Sequence, residues 1–271
     1  MFRRLVLTAV LVTGVAAVAS AQTVDEILAQ HYKAMGGLDK IKAVKSMKMT
    51  GKMVMGGTME APFVVYRARP NNQRVEFTFQ GMTGVQAFDG KSGSSWSIMP
   101  FMGKKDPEVM PAEESKMMAE EADFDGILVD WKDKGHKLES LGKEQVEGAD
   151  CYKVKVTLKS GEARIVYIDV ESGLEVKREG KRTVRGQEME FESVSGDYKE
   201  FEGLVFATVV EQGMKGGPAN ARQKMVMEKF EFNTAGADTL YLVPKNAVKA
   251  APATPPAAPA AADTTKKEVK K

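Results

Sequence analysis

Cysteine is nearly absent from this chain: Cys151 is the only one in 271 residues. A lone thiol cannot close an internal disulfide, and it has no second thiol with which to hold zinc. Histidine is almost as scarce, with His31 in an expected helix and His136 in a polar turn. Neither G-x-S-x-G nor H-E-x-x-H occurs, so no nucleophile–base set is visible. The glycine-rich pieces "GGLDK" and "GKSGSS" lack the spacing of a phosphate loop, and no cofactor is implied. Carboxylates are plentiful, but Glu113, Glu114, Glu120 and Glu121 fall on what reads as a solvated helix face. An enzyme is not expected.

A dominant charge is missing too. Lys and Arg number 39 against 37 Asp and Glu. A near-neutral domain has no electrostatic footprint for nucleic acid. Long apolar runs are confined to the first residues, "MFRRLVLTAVLVTGVAAVASAQ", where two arginines precede the run and Ala19-Ser20-Ala21 gives a small-x-small cleavage site. That is the pattern of a secretory signal peptide over residues 1–21. No later stretch is apolar enough to span a bilayer. At the other end, residues 247–271 are rich in Ala, Pro and Lys and hold no aromatic residue, so a disordered tail is expected there. Residues 22–246 remain for one large, mainly β domain.

What is present is strand alternation. "TVDEILAQHYKAMGG" opens with a capping box, Thr23 and Glu26, and ends on a glycine pair, which predicts one helix. A short turn, "LDKIKAVKS", leads into "SMKMTGKMVM", and from there the period is two. "QRVEFTFQG" sends Val75, Phe77 and Phe79 to one face; "CYKVKVTLKSG" does the same with Tyr152, Val154, Val156 and Leu158. Hairpins are expected around "DVESG" and "EFEG", and a strand after "GGPAN". The pattern predicts ten to twelve antiparallel strands with one apolar and one polar face, a sheet covered on one side. In "KMVMEKFEF", Met225 and Met227 share one face while Val226, Phe230 and Phe232 share the other, so the inward set stays open. One segment breaks the pattern: "PAEESKMMAEEADFDGILVDW" places Met117, Met118, Phe124, Ile127, Leu128 and Trp131 at helical spacing after Pro111. It reads either as a lid or plug over a cavity or as a helix closing the core.

Sixteen methionines follow Met1. Thioethers are ligands for Cu(I), and Met-x-Met occurs at Met47/Met49, Met53/Met55 and Met225/Met227. Strand geometry alone produces that spacing wherever methionine is the apolar choice, and no nearby His or Cys completes a site. No metal site is therefore assigned. The methionines read as an apolar surface that adapts to irregular shapes, or as ordinary core filling.

Several stretches together resemble the periplasmic outer membrane lipoprotein-sorting (LolA/LolB-like) superfamily. "HYKAMGGLDKIKAVKSMKMTG" resembles its helix–Gly-Gly–turn–strand opening and "AFDGKSGSSWSIMPFMG" its Asp-Gly-Lys hairpin running into a Trp-containing strand. "YIDVESGLEVKRE", "DYKEFEGLVFATVVE" and "EKFEFNTAGADTLYLVPK" resemble its later hairpins and its closing segment. The resemblance spans residues 31–245. It implies an incomplete antiparallel β-barrel wrapped over an N-terminal helix and a helical lid or plug. It also implies a periplasmic, monomeric carrier whose apolar cavity shields acyl chains of a lipoprotein or other lipid. The expected cavity wall is Met47, Met49, Met53, Phe63, Val65, Val75, Phe77, Phe79 and Trp96; the expected lid is Phe101, Met102, Ile127, Leu128 and Trp131. Two departures stand out. No arginine matches the one that holds the lid of the carrier proper, and no lipobox cysteine follows the signal. The alternative readings are an envelope protein-interaction module with a filled core and a methionine-rich copper-binding protein.

Overall fold

The computed structural model describes residues 22–56, 58–184, 187–234 and 238–249; the expected signal peptide and residues 250–271 of the tail lie outside them. Among the described residues three α-helices are present: α1 Val24–Ala34, α2 Leu38–Ala43 and α3 Ala112–Glu121. The capping box forms as expected. The Thr23 hydroxyl accepts from the Glu26 amide at 3.3 Å, and the Glu26 carboxylate accepts from the Thr23 amide at 2.8 Å. No helix among the described residues is long and apolar enough to cross a membrane.

Among the described residues fourteen strands make one sheet, a few more than the turn signals predict. The first six are β1 Ser46–Met55, β2 Met59–Ala68, β3 Asn72–Phe79, β4 Met82–Asp89, β5 Ser94–Met99 and β6 Lys104–Val109. The next four are β7 Lys137–Val146, β8 Ala149–Thr157, β9 Ala163–Asp169 and β10 Glu175–Val184. The last four are β11 Gln187–Phe201, β12 Leu204–Met214, β13 Gln223–Phe232 and β14 Val248–Lys249. Their order is β14-β6-β5-β4-β3-β2-β1-β13-β12-β11-β10-β9-β8-β7. Neighbours are antiparallel except β14, which runs parallel to β6. Two meanders, β1–β6 and β7–β13, are joined where β1 pairs with β13. The expected hairpin turns after β9 and β11 both form. Val248 and Lys249, at the start of the expected tail, pair with Glu108 and Val109.

The sheet does not close, but it curls strongly. Helix α3 buries Met118 and Ala122 against Phe88 of β4, and its Glu120 pairs with Arg164 of β9. Those strands stand eight steps apart in the sheet, about 38 Å if it were flat. A ten-residue helix is only about 15 Å long. The sheet must therefore wrap around α3, an incomplete barrel with α1 and α3 inside.

Strand register shows which side chains share that inner face. From β8 it runs through Val154, Val166, Arg178, Ser193, Gln212 and Gln223 to Met53, then through Met49, Val65, Val75, Gln86 and Ser97. Under α1, Ile27 and Leu28 join Val154, Val156, Val166 and Ile168 in the largest buried cluster. The outer face is not uniformly bare. Val85, Ala87 and Trp96 are buried there beneath the closing segment, with Val243 against them. A sheet covered on one side only is thus corrected: residues 238–249 return to cover the outside of β4 and β5.

Candidate ligand-binding face

The expected cavity wall assembles along β1, β2 and β3. Met49 pairs across to Val65, and Val65 to Val75; Phe63 pairs with Phe77. Met47, Met49, Met53, Phe63, Val65, Val75, Phe77 and Phe79 all face inward. Met47 and Phe63 are buried and the other six are half-buried. Phe101 belongs with them. Its ring lies 5.5 Å from that of Phe77 and 6.0 Å from that of Phe79, in a 3₁₀ turn, Pro100–Met102, that folds back over β4.

Two glycines make this surface possible. A Cβ on Gly51 would lie 2.1 Å from the Val226 carbonyl oxygen and 3.0 Å from the Phe63 ring. A Cβ on Gly84 would lie 2.8 Å from the Phe101 ring and 3.0 Å from that of Phe77. Aromatic rings thus occupy the space that side chains at these strand positions would fill.

The open question about β13 is answered by a bulge. Gly51 pairs with Met227 and Thr50 with Lys229, so Glu228 is the extra residue. The bulge flips the alternation, and Met225, Met227, Phe230 and Phe232 all end on the inner face. Phe206 of β12 stacks on Phe230 at 4.8 Å and Phe232 at 5.6 Å. These residues extend the apolar wall across the join between the two meanders.

Five expected positions fall elsewhere. Trp96 points to the outer face: it pairs with Ala87, donates its indole N–H to the Tyr241 carbonyl at 3.0 Å, and has the Arg74 guanidinium 5.4 Å from its ring. Met102 is 68% exposed and turned to solvent. Ile127, Leu128 and Trp131 are no lid. Leu128 is buried in the cluster under α1, and Ile127 and Trp131 rest against it. The helical spacing of that run also misleads, because α3 ends at Glu121 and turns follow, with Gly126 and Asp130 at positive φ. The segment after α3 is a strap into the core.

Arginines on the strands hold the helix and its strap. Arg67 of β2 donates from its guanidinium to the Asp123 carbonyl at 2.9 Å and to that of Glu121. Arg69 donates to Asp125 at 2.7 Å and to the Val44 and Ile41 carbonyls, with the Phe124 ring 4.7 Å away. Across the barrel, Arg164 reaches Glu120 at 2.9 Å and Glu162 at 2.8 Å, and Arg182 reaches Glu121 at 3.3 Å. Burial and the neighbouring Glu162 push the Glu120 carboxyl above the usual range, while Arg164 pulls it back. Sequence reading found no clamp arginine; its signal was "YRARP", two arginines on one strand phase. Elsewhere, a groove of about 800 Å³ opens at the ends of β1 and β2, lined by Lys45, Ser46, Met47, Tyr66, Arg67 and Asn233. Ala43, Ala68 and Tyr241 line it as well, so the groove is mixed in character.

No family model matches the chain, and no curated protein matches it in sequence. Solved structures do. A LolA superfamily protein from Nitrosomonas europaea superposes with a TM-score of 0.55 at 12% identity, covering 82% of this chain and 98% of that one. The chain has the LolA-type fold. A DUF1329 family protein from Desulfovibrio piger gives a TM-score of 0.54 at 10% identity, over 78% of this chain and 95% of that one. A Vibrio parahaemolyticus domain assigned provisionally to outer membrane lipoprotein sorting gives 0.51 at 12% identity, over 80% and 94%. At these identities the likeness is one of fold. In this LolA-type sheet the apolar wall, the glycine–aromatic contacts and the arginine clamps are features of the chain's own residues.

Proposed function

We propose that this protein is an exported, non-enzymatic carrier of the bacterial envelope that holds acyl chains of a lipoprotein or other lipid against its inner face. One observation carries the reading: the wall from Met225 through Met53 and Met49 to Val75, Phe77 and Phe101 is apolar, continuous and only partly buried. A filled core would favour the interaction-module alternative; a partly exposed apolar face offers surface to a ligand. Methionine suits chains of varying length and kink, since its unbranched thioether adapts to irregular shapes.

The mechanism is reversible burial. Each methylene taken from water contributes roughly 0.8 kcal/mol. Entry beneath α3 competes with the Arg67, Arg164 and Arg182 contacts that hold the helix in place. The periplasm, where such transfer takes place, is the proposed site of action. The test is uptake of a fluorescent fatty acid by the purified full chain and by Phe77→Glu. The charge sits at the centre of the wall, so binding should be abolished while export is unaffected. Normal uptake by the variant would remove the inner face as the binding surface.

A further inference from the structure

Two Met-x-Met pairs from opposite ends of the chain meet on the inner face. Met53 of β1 stands directly across from Met225 of β13, Met227 lies across from Gly51, and Met49 flanks that glycine on its other side. Alternation within a strand explains why Met225 and Met227 share a face. It does not explain why the register of a second strand sets Met53 against them. None of the four is fully buried. We propose that Met53, Met225 and Met227 form a thioether site for Cu(I), with Met49 beside it.

The geometry fits a three-sulfur ion. Residues directly opposite in an antiparallel pair stand about 5 Å apart, and diagonal neighbours about 7–8 Å. Three rotatable bonds let each methionine bring its sulfur to a common point between the strands. The Met53 sulfur already leans over β13, where the Gln223 side-chain amide donates to it. The Phe63 ring, against Gly51, makes an apolar floor. Ligand chemistry then selects the metal. Thioethers are soft donors that favour Cu(I). Among the described residues no group of three or more His, Cys, Asp or Glu could hold a harder ion.

Leucine substitution tests the sulfur apart from the apolar volume. Leu keeps the apolar volume of Met and removes the sulfur. The experiment is anaerobic titration of the purified full chain with Cu(I) against a chromophoric Cu(I) chelator, followed by X-ray absorption of the bound metal. The chain should take one equivalent from the chelator with sulfur ligands only. Met53→Leu and the double variant Met225→Leu/Met227→Leu, one on each strand, should each lose that copper. Met118→Leu, on α3, should keep it. The urea midpoints of all three should stay close to that of the parent, so that lost copper reports a lost ligand and not a lost fold. The proposal is overturned if the chelator keeps the copper, if either strand's variant binds like the parent, or if the spectrum shows nitrogen or oxygen ligands.

Discussion

Gly51 is the position on which the inner face depends most. It lets the bulged β13 backbone come close and lets the Phe63 ring lie over the strand. Even one methyl there meets a carbonyl oxygen, which cannot yield cheaply. Gly51→Ala should cost about 1–3 kcal/mol, the usual range for overpacking, read as a lower urea midpoint with unchanged slope. His31 gives a second prediction. Its Nδ1 donates to the Gly173 carbonyl at 2.9 Å beneath α1, and burial pushes its pKa below the ordinary value of 6.5. The folded chain therefore resists a proton that the unfolded chain accepts. Stability is complete above the ordinary value and is lost as pH falls below it. The urea midpoint should drop between about pH 7 and about pH 5, and His31→Gln should flatten that drop. A midpoint equally pH-dependent in both proteins would clear His31. Most of the wall was legible residue by residue, because Val75, Phe77 and Phe79 alternate cleanly. Trp96 was not. "SSWSIM" carries no phase of its own, and its burial depends on a segment more than a hundred residues later.

Helix α3 is the element held chiefly by polar contacts. Charged side chains tie it to β2 on one side and to β9 and β10 on the other, and of its own residues only Met118 is buried. A hydrogen bond to a charged group contributes about 1.5–3 kcal/mol. Arg67→Ala should therefore speed amide exchange across residues 112–123 by about tenfold or more. Exchange in β8 and β9, which lie under α1, should stay as it was. Equal acceleration in both regions would mean that Arg67 supports the whole fold and is no clamp. Hairpins and the capped first helix could be read from turn and cap chemistry. The bulge at Glu228 could not, since it arises from pairing β13 with a strand far earlier in the chain. The apparent helix through Phe124–Trp131 failed for a related reason. Its apolar spacing records contacts with the α1 cluster made through turns, and periodicity cannot tell the two apart.

The molecule as a whole is a sheet that curls without closing, with helices seated inside and an apolar strip left between them. The mainly β class and the incomplete barrel followed from one-faced strands and the family resemblance. The strip's true extent, from Phe206 and Phe230 through the methionines to Phe101, depends on joining two meanders and was only partly visible. Such a shape offers a ligand a wall without demanding one fixed outline. The most direct test of the carrier proposal is native mass spectrometry of the exported protein, purified without detergent, with extracted lipids identified. The account predicts an acyl-chain species bound at about one per protein, lost in Phe77→Glu. A clean unliganded mass, with no uptake of added lysolipid or fatty acid, would contradict it.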